Sequence, residues 1–448
     1  MELIVYPGNA LTGQVSVPGD KSLSHRAILF AALTEGECQI KNILISGVTK
    51  VMLDALTELG IPWKMDDDIL TIQGHGLNGI HAPDKPINCG NSATTLRLLA
   101  GFLAAAGVPA VLDGSPGLRS RPMRRIVDPL KRMGVQIETS AAGTAPLVIG
   151  GRGKSQKLKA LDEDLPVASA QVKSCLLLAA LAAEGETVLR EPGPSRDHTE
   201  RMLSGLGVKV ANQVLEEGSS RCYETRIHPP SSPLKPFKMT LPGDISAAAF
   251  IITAATITPG SSVEIAGVGL NPTRTGLLDV LRSMGAEIHI KNLADQGGEL
   301  SGDIRVHSAG LRGIQVGGPL VVRMIDEFTI FGVAAAAAEG ETLVNDAAEL
   351  RYKESDRIGT LCQELSALGV PVEELEDGFR ITGGPIRGGL VHAHGDHRLA
   401  MAMAVAGLNS KDPVRIKGAE FIDESFPGFV DTLKSLGANI EERTTSPE

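Results

Sequence analysis

Six times along the chain an amphipathic run closes on a hydrophobic residue followed by glycine: Leu59-Gly60, Met133-Gly134, Leu206-Gly207, Met284-Gly285, Leu368-Gly369 and Leu436-Gly437. The spacings between these glycines are 74, 73, 78, 84 and 68 residues, close to one sixth of a 448-residue chain, so an internal repeat governs the fold. Before each glycine, apolar residues recur at helical spacing, as in Met52, Leu53, Leu56 and Leu59 or Ile126, Leu130 and Met133. Glycine at the C′ position then admits the left-handed conformation that ends a helix. Alternating, strand-like runs follow, such as Val135-Gln136-Ile137-Glu138, Ala286 to Ile290 and Ala438 to Glu441. Upstream of each amphipathic run lies a helix rich in small residues: Ile28 to Leu33, Leu98 to Ala106, Leu176 to Ala183, Ala247 to Ala255, Phe331 to Ala338 and Ala400 to Gly407. These are apolar on nearly every side and belong inside each unit. A turn leads from them into a strand such as Glu341-Thr342-Leu343-Val344. The unit reads as small-residue helix, strand, loop, amphipathic helix, strand, strand.

The turn Pro18-Gly19-Asp20 returns as Pro242-Gly243-Asp244, three units later. Two α/β domains of three units each are expected, one of residues 19–241 and one of residues 1–18 with 242–448. On this reading the chain starts in the second domain with a short strand segment, Leu3 to Val17, leaves it at Pro18 and returns at Pro242. Two crossings make a hinge pair, and the cleft between the domains is the expected ligand site.

Composition removes several functions. A net charge of −10 opposes the broad basic field that sequence-independent nucleic-acid binding needs. Cysteines at 38, 89, 175, 222 and 362 form no CxxC pair, which points to a reducing compartment without a disulfide framework or zinc ribbon. The start, Met1-Glu2-Leu3-Ile4-Val5, lacks the basic and apolar regions of a signal peptide, and later apolar stretches fall short of the ~20 residues of a membrane span. A soluble, cytoplasmic protein with no nucleic-acid or membrane partner is expected. Only Thr444 to Glu448 read as disordered.

Polar residues gather at the helix starts, where backbone N–H groups point outward. These starts carry Lys21, Arg26, Arg121, Arg196, Lys353, Arg357 and Arg398. If they meet, they suit a ligand with several phosphate or carboxylate groups, each charge-assisted hydrogen bond contributing about 1.5–3 kcal/mol. Asp326 and Glu354 lie among them and could exchange protons with such a ligand, or could instead cap helices or pair with Arg357. Gly19-Asp20-Lys21-Ser22 looks like the end of a Walker A loop, but Val15 and Asp20 stand where that loop requires glycine. His392, His394 and His397 lack the acidic or cysteine spacing of a metal site, so no metal is expected. No dinucleotide fingerprint follows a strand. Ser22, Ser169 and Ser195 read as hydrogen-bond donors, since none lies in a Gly-x-Ser-x-Gly elbow.

Taken together and in order, Pro-Gly-Asp-Lys-Ser-Leu-Ser-His-Arg at 18–26, Gly-Asn-Ser-Ala-Thr at 90–94, Arg-Pro-Met at 121–123, Ser-Ala-Gln-Val-Lys-Ser at 169–174, Arg-Asp-His-Thr-Glu at 196–200, Asn-Pro-Thr-Arg at 271–274, Lys-Glu-Ser-Asp-Arg at 353–357 and Asp-His-Arg at 396–398 resemble the 5-enolpyruvylshikimate-3-phosphate synthases. The resemblance implies two similar α/β domains, each of three repeated βαβαββ units around buried helices, the inside-out barrel of the enolpyruvyl transferase fold. It implies transfer of the enolpyruvyl group of phosphoenolpyruvate to the 5-hydroxyl of shikimate 3-phosphate with release of phosphate. No cofactor would be needed, and a monomer is expected. By position, Lys21, Ser22, Arg26, Ser169, Ala170, Gln171, Arg196, Asp326 and Lys353 would contact shikimate 3-phosphate. Lys21, Asn91, Ala93, Arg121, Gln171, Glu354, Arg357 and Arg398 would hold phosphoenolpyruvate. Asp326 would be the base for the 5-hydroxyl, and Glu354 with Lys21 would carry the proton at the methylene carbon.

Three positions depart from the commoner pattern of that family. Ala93 stands where it has glycine, as in its second, glyphosate-tolerant class, so glyphosate is expected to bind weakly. Glu349 and Glu424 replace an asparagine and a lysine. The sister transferase acting on UDP-N-acetylglucosamine carries a catalytic cysteine before the position of Arg121, and Val111 to Ser120 contains none. A non-catalytic anion-binding repeat protein would not need Asp326 and Glu354 among the cations.

Overall fold

The computed structural model describes residues 1–153, 156–217 and 220–443, so the reading of Thr444 to Glu448 as disordered lies outside the described residues. The chain divides into two compact units. One comprises Met1–Pro18, Pro242–Ala294 and Leu300–Glu448; the other comprises Gly19–Leu241 together with Asp295–Glu299, the end of a hairpin, which the sequence-based boundaries had assigned elsewhere. Each unit has its own hydrophobic core.

Among the described residues there are six four-stranded sheets built to one plan. In the first, Lys238–Thr240 runs parallel to Glu35–Lys41, which pairs antiparallel with Ile69–His75, which pairs antiparallel with Trp63–Asp66. The second repeats this order with Ile87–Asn88, Ala110–Asp113, Leu147–Ile149 and Ile137–Glu138, and the third with Asp162–Asp164, Thr187–Glu191, Ser220–Ile227 and Val210–Glu217. Thr12–Ser16, Ser262–Gly269, Glu299–His307 and Glu287–Gln296 make the fourth. The fifth uses Gln315–Val316, Glu341–Val344, Gly378–Thr382 and Val372–Leu375; the sixth uses Gly389–His392, Val414–Lys417, Glu2–Tyr6 and Asn439–Arg443.

The stretch from Leu3 to Val17, expected as one strand segment, is therefore two strands in two sheets. Thr12–Ser16 lies along Ser262–Gly269, and Glu2–Tyr6 lies between Val414–Lys417 and Asn439–Arg443. Each Pro-Gly-Asp turn thus follows a strand that pairs three repeats away. Val135 to Glu138 also forms less strand than its alternation suggests, only Ile137–Glu138.

The small-residue helices are Lys21–Leu33, Ala93–Ala106, Ala170–Ala180, Ile245–Ile257, Phe328–Ala336 and His397–Leu408. Every residue of the last three is buried, which suits segments with no polar face. The third and fifth stop short of the expected Ala183 and Ala338, because Ala183 and Glu339 bridge to Leu158 and Arg312. Their small residues permit close packing: a Cβ on Gly101 would lie 2.1 Å from the carbonyl oxygen of Cys175. All six repeat glycines have φ between 76° and 110°, the left-handed region expected of a helix terminator. At the recurring turns, glycine is required by contact, since a Cβ on Gly19 would sit 1.7 Å from the Asn42 carbonyl oxygen and one on Gly243 2.7 Å from Val17.

No described helix is long and apolar enough to cross a membrane.

Candidate active site

The residues singled out from the sequence fall into two sets, ten on the unit containing residues 19–241 and five on the other. In the first set most side chains sit at or just before the starts of the buried helices, with Arg121 and Arg196 ahead of amphipathic helices; in the second, Asp326 and Arg398 flank the starts of buried helices, and Lys353, Glu354 and Arg357 lie at the start of the amphipathic helix Arg357–Ala367.

Asp20 caps the first helix, its Oδ1 accepting the Leu23 N–H at 2.8 Å, which sets Lys21 and Ser22 in the first turn. One turn later Arg26 is buried, its Nε donating to Thr199 Oγ1 at 2.7 Å, Nη2 to Ser174 Oγ at 2.7 Å and Nη1 to the Ser22 carbonyl at 2.9 Å. Burial pulls its pKa down to about 10. Arg26 therefore ties three helix starts together as well as carrying charge. His25 is also buried, and loss of solvation lowers its pKa to about 4 although its ring nitrogens lie 2.8 and 3.2 Å from the carbonyls of Lys21 and Val48.

Ser92 caps the second helix by accepting the Thr95 N–H at 3.1 Å, leaving Ala93 as its first residue, buried, and Asn91 just before it. Asn91 Oδ1 accepts from Ser115 Oγ at 2.9 Å. Gln171, in the first turn of the third helix after Ala170, donates to Thr94 Oγ1 at 2.9 Å and accepts from Arg97 at 2.5 Å. Arg97 also donates to the Pro122 carbonyl at 3.2 Å, next to Arg121. Sequence reasoning missed Arg97; a lone cation one turn into an apolar helix was the available signal. Ser169 precedes the third helix, its N–H held by Glu191 Oε1 at 2.8 Å, and Ser195 beside Arg196 donates to the other oxygen of the same carboxylate at 2.7 Å.

On the other unit, Asp326, Lys353, Glu354, Arg357 and Arg398 come together. Arg357 is 2% exposed, with Nη2 2.8 Å from Glu354 Oε2, Nη1 3.5 Å from Asp326 Oδ1 and Nε 2.8 Å from Asp396 Oδ2. Burial acts against its charge, but the three carboxylates outweigh burial and hold its pKa above the ordinary arginine value. Lys353 Nζ lies 3.9 Å from Asp326 Oδ1. The Arg398 guanidinium donates to the Asp326 carbonyl at 3.0 Å.

Asp396 was placed at a helix start by the sequence and given no role; the structure gives it a central one. Its Oδ1 accepts the Arg398 N–H at 2.8 Å as the cap of the sixth helix, and its Oδ2 accepts from Arg357 and, at 3.1 Å, from Ser355. The Arg357 guanidinium more than offsets burial and depresses the Asp396 carboxyl below its usual range. Asp326 does not cap the fifth helix, because Glu327 occupies that position, so the capping alternative for Asp326 falls away. The ion-pair alternative is present for both Asp326 and Glu354, and a carboxylate paired with a buried arginine can still meet a ligand on its exposed side. Of the three histidines considered for a metal, His394 Nε2 lies 2.6 Å from Glu364 Oε1, and the His392 N–H is bound by the other oxygen of Glu364.

The arrangement offers cations and helix N-termini on both units and three carboxylates beside the cations on one, a chemistry for binding anions and moving protons next to them. The sequence model of EPSP synthase (3-phosphoshikimate 1-carboxyvinyltransferase) matches residues 5–433. Proteins named 3-phosphoshikimate 1-carboxyvinyltransferase from Halorhodospira halophila and Alkalilimnicola ehrlichii are 48% and 47% identical, each match covering 98% of this chain and 96% of the relative. A solved EPSP synthase from Acinetobacter baumannii superposes with a TM-score of 0.86 at 40% identity, covering 99% of this chain and 100% of that one. The enolpyruvyl transferase NikO from Streptomyces tendae, 21% identical with a TM-score of 0.77, shares the fold. With nearly full-length matches in sequence and in structure, the chain belongs to the EPSP synthase family.

Proposed function

We infer that this chain is a transferase that moves the enolpyruvyl group of phosphoenolpyruvate to the 5-hydroxyl of shikimate 3-phosphate and releases phosphate, a step of the shikimate pathway. The observation that carries the mechanism is the placement of the Asp326 carboxylate, 3.5 Å from Arg357 and 3.9 Å from Lys353. A carboxylate held between two cations has a fixed position from which an oxygen can accept the proton of a bound hydroxyl.

The hydroxyl oxygen adds to the carbon bearing the phosphate as Asp326 takes its proton, and the methylene carbon gains a proton to become a methyl. In the second half a methyl proton leaves and the carbon–oxygen bond to phosphate breaks, restoring the double bond. Glu354, oriented by Arg357, and Lys21 carry the proton at the methylene. Lys21, Ser22, Arg26, Ser169, Ala170, Gln171, Arg196 and Lys353 serve shikimate 3-phosphate; Lys21, Asn91, Ala93, Arg121, Gln171, Arg357 and Arg398 serve phosphoenolpyruvate. The reading extends to a monomeric, cytoplasmic enzyme that tolerates glyphosate through the methyl of Ala93.

Phosphate release measured with each substrate alone and with both tests the activity. Release requiring both supports it. Release with phosphoenolpyruvate and UDP-N-acetylglucosamine instead would move the chain to the sister activity.

A further inference from the structure

Lys173 stands in the first turn of a helix whose following residues, Ser174 to Ala180, are small or apolar. It is 4% exposed, and its ammonium lies 2.7 Å from Glu191 Oε2 and 2.8 Å from Glu200 Oε1, two carboxylates that are also buried. Burial opposes the lysine charge, but Glu200 and Glu191 outweigh it and raise the pKa of Lys173. Replacing such a buried charged group by apolar residues is often neutral or stabilising, so stability alone is a weak reason for it.

Glu191 has a second task. Its Oε1 accepts the backbone N–H of Ser169, and its Oε2 accepts the hydroxyl of Ser195. Those residues adjoin Ala170 and Arg196, on segments that are separate in sequence. The next residue along, Ser174, shares hydrogen bonds with Arg26 at 2.7 Å and Thr199 at 2.6 Å. Two neighbouring residues of one helical turn therefore secure Arg26, Ser169 and the Ser195–Arg196 segment. Without Lys173, Glu191 loses the cation that lies 2.7 Å from its Oε2, and the carboxylate that receives the Ser169 N–H and the Ser195 hydroxyl is no longer held in place.

We propose that Lys173 is a positioning residue which, through Glu191, holds Ser169 and the Ser195–Arg196 segment in the geometry that receives shikimate 3-phosphate. This rests on the function proposed above. The test is steady-state phosphate release by the full chain for wild type, Lys173→Met and Lys173→Arg, with melting temperatures alongside. Wild type without activity would sink the functional reading itself. With wild type active, Lys173→Met raises the KM for shikimate 3-phosphate about tenfold or more, while kcat and the KM for phosphoenolpyruvate change less than about threefold, and Lys173→Arg recovers most of the loss. A lower melting temperature with an unchanged KM for shikimate 3-phosphate overturns the proposal, as does an equal rise in both KM values. Should Lys173→Met not fold, Ser195→Ala replaces it: a KM for shikimate 3-phosphate raised several-fold supports the role, and a wild-type KM overturns it.

Discussion

Arg398 donates from its guanidinium to the backbone carbonyl of Asp326, 3.0 Å away. The side chain at the start of the sixth buried helix thus fixes the residue that leads into the fifth. Asp326 faces Lys353 and Arg357 through its carboxylate and Arg398 through its backbone, so its position is set from two sides.

Asp326→Asn keeps that backbone contact and removes the carboxylate proposed as the base. Turnover falls by about 10²–10⁴, the usual contribution of a positioned general base, while the melting temperature stays close to wild type. Near-normal kcat in a phosphate-release assay would refute the assignment. Arg398→Lys loses the planar fork and raises the KM for phosphoenolpyruvate by about 10- to 100-fold, the equivalent of one charge-assisted hydrogen bond.

Ala93 is the first residue of its helix and is buried, so its methyl is held against its surroundings. Ala93→Gly opens that volume and lowers the glyphosate concentration for half inhibition by about tenfold or more, a difference of ~1.4 kcal/mol. Inhibition curves for both proteins decide it. Strong inhibition of wild type that the glycine variant does not deepen is the contrary result.

Gly101→Ala puts a methyl carbon 2.1 Å from the Cys175 carbonyl oxygen, far inside contact distance and against backbone that cannot swing aside. The helices Ala93–Ala106 and Ala170–Ala180 must separate, at a cost of about 1–3 kcal/mol or more. Urea unfolding measures it, and an unchanged midpoint contradicts the close packing.

His25 links stability to pH. Burial lowers its pKa to about 4 in the folded protein, against about 6.5 in an unfolded chain. The unfolded state therefore binds the proton first, so this contribution is full above about pH 6.5 and declines as pH falls towards about 4. Melting temperatures across that window should drop for wild type and drop less for His25→Asn, each referred to its own value at neutral pH.

Much of this was legible in sequence because the repeat makes each signal appear six times. The terminators from Gly60 to Gly437 are local signals, and their left-handed φ depends on little else. The helix starts were equally readable, since polar residues opening an apolar run mark a cap. What escaped were relationships between distant segments. Nothing near Glu2–Tyr6 says that it pairs with Val414–Lys417, and nothing near Arg97 says that Gln171 lies across from it. Asp396 stood in the sequence only as part of Asp-His-Arg at 396–398, because Arg357, its partner, is 39 residues away. Charged residues inside buried helices are the places where sequence pattern stops and tertiary contact begins.

Glu2–Tyr6 occupies the third place in a sheet whose other strands come from residues 389–443. For a chain emerging from the ribosome, this strand must wait for partners made long after it. Residues 19–241 supply every strand of their own three sheets and can organise while the remainder is still being synthesised. Glu2–Tyr6 stays unpaired throughout that time, because its partners Val414–Lys417 and Asn439–Arg443 are made later.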